Sequence, residues 1–142
     1  MIMKTTDFIR STCTRYFRND AHVLALYLFG SYASNQAHEN SDIDLAILYQ
    51  FGRSPSFYAQ RQIHDGGHLV NELKTDNVDF IVLNTTSSTA LRYAVVQDGI
   101  CMIDNFPELT NYELNTKREF FDFKESLQRA GYLKKADQHG TN

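Results

Sequence analysis

The segment from residue 23 to residue 48 constrains this chain most. The apolar run Val23-Leu24-Ala25-Leu26-Tyr27-Leu28-Phe29 stops at Gly30-Ser31, and ten residues (32–41) separate that pair from Asp42-Ile43-Asp44, which opens a second apolar run reaching Leu48. Tyr27-Leu28-Phe29 reads as a buried strand. The small pair after it lets the backbone turn sharply and bring N–H groups close to an anion. In the second run successive side chains alternate faces, so Asp42 and Asp44 point the same way, about 6.6 Å apart along a strand. Both carboxylates can then grip one hard divalent cation, which takes oxygen ligands from one or two carboxylates and from substrate phosphates. Taken singly, a Gly-Ser turn after a strand and an aspartate at a strand entry are ordinary. Their coincidence in one short stretch points to phosphate and metal chemistry.

The string Leu28-Phe29-Gly30-Ser31, followed by Ser41-Asp42-Ile43-Asp44-Leu45, resembles the Gly-Ser…Asp-x-Asp signature of the polymerase-beta-like nucleotidyltransferase superfamily. The resemblance covers about residues 20 to 104. The short length and the lack of an appended domain are similar to the minimal nucleotidyltransferases, a group that includes MntA-type antitoxins paired with HEPN ribonuclease toxins. That resemblance implies an α/β (α+β) fold, a short mixed sheet flanked by helices, with residues 1–142 forming a single nucleotidyltransferase domain. It also implies ATP as co-substrate, with phosphates against Gly30 and Ser31, and Mg²⁺ (magnesium) held by Asp42, Asp44 and a third carboxylate on a later strand. Asp79, in Asn77-Val78-Asp79-Phe80-Ile81-Val82-Leu83, is the candidate for that position. By the resemblance it completes the metal site and acts as base toward an attacking hydroxyl. Asp76 precedes the apolar run and reads as turn.

The implied reaction is transfer of AMP to a hydroxyl, a tyrosine of a cognate HEPN toxin, in a hetero-oligomeric partnership that neutralises the toxin. Two alternatives stand beside it. One is AMP transfer to a small hydroxylated molecule such as an aminoglycoside, although related enzymes of that kind carry an added substrate-binding domain. The other is a non-catalytic antitoxin that neutralises by contact. One departure bears on nucleotide affinity: related chains often place an Arg-Gly pair shortly after the Gly-Ser, and this chain has Ser34-Asn35. Arg53 and Arg92 are the candidates to supply a replacement charge.

Composition fits a globular catalyst. The chain has 142 residues, 42% of them hydrophobic, enough for about one domain with a real core. Its formal net charge of −3 argues against a dominant electrostatic grip on nucleic acid, so no direct nucleic-acid partner is expected. The first residues lack the apolar core of a signal peptide, and no stretch approaches the roughly 20 apolar residues of a membrane span. A cytoplasmic protein without membrane contact is expected. Cys13 and Cys101 form no Cys-x-x-Cys pair and read as buried thiols. Asn84-Thr85-Thr86 matches a glycosylation sequon, which has no meaning without secretion.

Outside the central segment the pattern predicts alternating elements and no repeats. Thr6 to Arg18 reads as an amphipathic helix with Phe8, Ile9, Thr12, Cys13 and Tyr16 near one face and Asp7 in its positive first turn. Ser56 to Lys74 carries Ala59, Ile63, Gly67, Val70 and Leu73 at helical steps, a helix weakened by Gly66-Gly67. Ser87 to Asp98 reads as a helix ended by Gly99, Ile100 to Ile103 as a short strand, and Pro107 closes the catalytic unit. From Leu109 to Leu133 one long C-terminal helix is expected. Its aromatics either cover the sheet or form a partner-binding surface. Ala136 to Asn142 reads as a frayed polar end. His64 and His68 stand four apart but lack further ligands for a zinc site. Ser31 lacks the flanking glycines of a nucleophile elbow, so no Ser-His-Asp hydrolase is expected.

Overall fold

The computed structural model describes residues 3–134. The expected end from Ala136 to Asn142 lies outside the described residues. In chain order the elements are α1 (Thr6–Tyr16), β1 (Val23–Phe29), a one-turn 3-10 helix (Gly30–Tyr32), β2 (Ile43–Tyr49), α2 (Pro55–Leu73), β3 (Val78–Val82), α3 (Thr89–Asp98), β4 (Ile100–Asp104) and α4 (Leu109–Arg129). The strands form one sheet in the order β3-β2-β1-β4. β1 is antiparallel to both β2 and β4, and β2 is parallel to β3, so the sheet is mixed, as expected.

Helix starts follow from side-chain caps. Thr5, Ser54 and Ser88 each accept a hydrogen bond from a first-turn N–H, of Phe8, Phe57 and Leu91 respectively, satisfying donors that the helix itself leaves free. Pro55 sits at the start of α2, where its missing N–H costs nothing, and Lys74 ends that helix at φ 58°.

Period-two alternation divides the sheet between two cores. Leu26, Leu28, Ile43, Leu45, Ile47 and Tyr49 face α1 and α2 in the larger one. Ala25, Tyr27, Ala46 and Leu48 face the other side, together with Val95 and Val96 of α3 and Leu109 of α4. Tyr27 sends its hydroxyl to Glu113 Oε2 at 2.7 Å and thereby ties β1 to α4.

Two expectations need correction, on the buried face of α2 and on Cys101, whereas the expected helix through Gly66-Gly67 is present. The α2 face differs: Ile63 is 78% exposed, and the buried residues are Tyr58, Asp65, Leu69 and Leu73. Asp65 is only 2% exposed because its charge is fully engaged. It accepts from Tyr16 Oη at 2.9 Å, Tyr49 Oη at 2.5 Å and Arg61 Nε at 2.8 Å, while Arg61 Nη2 also meets Asp20 at 2.5 Å. The Gly66-Gly67 pair does not break the helix, and a Cβ on Gly66 would rest 3.5 Å from the Phe80 side chain in ordinary contact. Cys13 is buried as expected, but Cys101 is exposed, lying on the outer strand β4, which pairs on one side only.

The first half of α4 covers the sheet with Leu109, Tyr112 and Thr116. Beyond it Phe121 is 53% exposed and Phe123 is exposed as well. Phe120 stacks on Tyr93 of α3 with ring centroids 4.2 Å apart. The expectation that the helix covers the sheet holds for its first half, and the second half leaves aromatics exposed. Among the described residues no helix is long and apolar enough to cross a membrane.

Candidate active site

Strand register assembles the site. Asp44, the second residue of β2, lies opposite Phe29 at the end of β1 and beside Asp79 on β3. Asp42 immediately precedes the strand, and the Ile43 N–H donates to the Asn77 carbonyl at 2.7 Å, which extends the β2/β3 pairing to that point. Three carboxylates are thus delivered to one end of the sheet, on the face that α3 and α4 cover further along.

The Gly30-Ser31 turn closes on them. Gly30 has φ +69°, a left-handed conformation that favours glycine, and a Cβ built there would lie 2.1 Å from Asp44 Oδ2. No side chain can occupy that space while Asp44 keeps its position. Tyr32, buried at 8% exposure in the larger core, anchors the turn, and the N–H groups of Ala33 and Ser34 both donate to the Gly30 carbonyl at 3.1 Å. Tyr32 was not singled out from the sequence; only its place two residues after the glycine marks it.

Charge crowding shows in Asp44. Partial burial, then the negative charge of Asp79, then that of Asp42, push its carboxyl up to about 6. Crowded negative charge of this kind is the electrostatic setting a divalent cation relieves, and the donors are all hard oxygens. Among the described residues, no group of three or more His, Cys, Asp or Glu side chains is placed to hold a metal ion. The carboxylate oxygens are of the kind that Mg²⁺ takes, usually together with oxygens of substrate and water.

Neither arginine considered from the sequence reaches the turn. Arg92 donates to the Thr86 carbonyl and to Glu119 at 3.1 Å, bridging α3 and α4. Arg53 follows the far end of β2, holds Gln50 at 3.0 Å and lies over the Phe57 ring. His64 and His68 are exposed neighbours on α2, with ring centroids 4.5 Å apart, away from the carboxylates.

A cavity of about 540 Å³ opens beside the turn. Phe29, Gly30, Ser31 and Ser34 line one side, Ala94 and Asp98 of α3 the other. No local pattern marks the α3 wall, because Asp98 before Gly99 reads only as a helix end.

Residues 11–108 match the Polymerase beta, Nucleotidyltransferase family, and the chain belongs to it. The matched segment ends just before α4 begins. Among solved structures, the chain is similar to one in a toxin-antitoxin crystal structure with AMP-PNP: TM-score 0.69, 24% identity, 85% of this chain and 94% of that one covered. It is also similar to a chain from a structure of tri-AMPylated Shewanella oneidensis HEPN toxin in complex with MNT antitoxin, with TM-score 0.65, 21% identity and coverage of 87% and 93%. A structure of the toxin-antitoxin MntA-HepT gives TM-score 0.58 at 21% identity, covering 88% and 92%. These likenesses establish the fold. No curated protein matches the chain.

Proposed function

We propose that this protein is an antitoxin-type adenylyltransferase that moves AMP from ATP to a tyrosine hydroxyl of a cognate HEPN ribonuclease toxin and so neutralises it. The observation that carries the reading is the contact of the Gly30 turn with Asp44, which sets the backbone of a glycine turn directly against a row of carboxylates. Membership of the nucleotidyltransferase family supports the reaction class. The likeness to chains of toxin-antitoxin complexes, one with AMP-PNP and one with an AMPylated toxin, supports the acceptor.

In this reading the backbone of Gly30 and Ser31 binds the triphosphate. Asp42, Asp44 and Asp79 would hold Mg²⁺, which when bound supplies charge neutralisation to the phosphates. Asp79 is the exposed member of the Asp44–Asp79 pair, on β3, open to an incoming acceptor. It takes the proton of the tyrosine hydroxyl as the oxygen–Pα bond forms. The Pα–O bond to the β-phosphate breaks, and pyrophosphate leaves with that electron pair. Little covalent work falls to the protein, so positioning and charge stabilisation supply most of the rate.

A neutralisation assay tests this. The chain co-expressed with its partner toxin restores growth, whereas the Asp44→Ala variant, still folded and still bound, does not. Full neutralisation by Asp44→Ala would overturn catalysis and leave neutralisation by contact.

A further inference from the structure

The cavity beside the turn contains a carboxylate that the reaction does not use. Asp98 is the last residue of α3, where the negative end of the helix dipole disfavours an acid. Among the described residues it makes no hydrogen bond or ion pair. Its side chain is exposed, and the backbone that carries it is held in place. Gly99 fits so closely that an added Cβ would lie 2.3 Å from the Val95 carbonyl oxygen and 3.2 Å from that of Leu28. Ile100 then pairs with Leu28, two residues before Gly30. The sheet therefore clamps the end of α3 against the phosphate turn.

The lining chemistry decides what enters. Among the described residues Asp98 is the one charged side chain lining the cavity, beside the neutral polar Ser31, Ser34 and Gln36, and no cation lines it. A triphosphate is repelled from such a wall and stays on the Gly30-Ser31 backbone. What remains of a nucleotide is its nucleoside, which a cavity of about 540 Å³ accommodates. Phe29 and Ala94 offer it apolar contact, and a carboxylate accepts hydrogen bonds from a sugar diol.

Resting on the nucleotidyl-transfer reading above, we propose that Asp98 reads the ribose hydroxyls of the bound nucleoside triphosphate and selects ribonucleotides over deoxyribonucleotides. Asp98 is a specificity-determining residue in this account. It takes no part in bond making.

Calorimetric titration of the full chain with Mg²⁺ and, in turn, ATP, 2′-deoxy-ATP, 3′-deoxy-ATP and inorganic tripolyphosphate tests the proposal, with Asp98→Ala and Asp98→Asn beside wild type. The wild type is expected to bind ATP about tenfold more tightly than at least one deoxy analogue, the value of a hydrogen bond to a charged acceptor. Asp98→Ala should bring ATP down to that analogue's level and leave that analogue and tripolyphosphate unchanged. Asp98→Asn should fall between. Equal weakening of every ligand by Asp98→Ala, or unchanged ATP preference, would overturn the assignment. Wild type that binds neither ATP nor tripolyphosphate would overturn the nucleotide site itself, a different result from loss of discrimination alone.

Discussion

Gly30 and Asp44 share one space: a Cβ on the glycine would sit 2.1 Å from the aspartate's Oδ2. The Gly30-Ser31 turn and the acidic row are therefore a single packed unit, and either half moves if the other is altered. Gly30→Ala must displace Asp44 and also hold alanine at φ +69°. Transfer should fall by about 100-fold or more, as for an ångström-scale misplacement, and thermal stability should drop. Initial-rate measurement beside a melting curve checks both.

The raised Asp44 carboxyl has a stability consequence with a definite sign. Its value is about 6 in the folded protein against an ordinary 3.8, so folding favours the protonated form. That contribution is fully present below about 3.8 and is lost as pH rises through about 6. In metal-free protein at pH 8, Asp44→Asn should therefore raise the melting temperature by about 1–3 °C while abolishing transfer. At pH 3.5 the difference should vanish. Melting curves across this range in the presence of a chelator decide it.

Asp65 should behave oppositely, as a purely structural group. Removing it strands Tyr16, Tyr49 and one side of Arg61 among buried neighbours. Asp65→Ala is expected to cost about 3–5 kcal/mol, measured by urea unfolding.

Gly67 offers the reverse test. It lies within α2, and an added Cβ would meet nothing within 4 Å. Gly67→Ala should stabilise the protein by about 0.5–1 kcal/mol and leave activity unchanged.

Much of the site was legible because it is local. The strand–turn–strand from Tyr27 to Leu48 carries Gly30, Ser31, Asp42 and Asp44 in one local pattern, whereas Asp79 is found through the family resemblance, which asks for a third carboxylate on a later strand. Long-range choices were less legible. The buried face of α2 went unread because Asp65 counts as polar in any periodicity, and its burial depends on Arg61, Tyr16 and Tyr49 arriving from separate elements. Cys101 is exposed because β4 is an outer strand, a fact of strand order that no local pattern carries. Asp98 reaches the turn only through the β4–β1 pairing.

The central claim is most directly tested by intact-mass analysis of a candidate HEPN-type toxin from the same source, after incubation with the purified chain, ATP and Mg²⁺. The account predicts a gain of one or more AMP-sized increments on the partner, absent with the Asp42→Ala variant. An unchanged partner mass, with complex formation and neutralisation intact in both proteins, would contradict it.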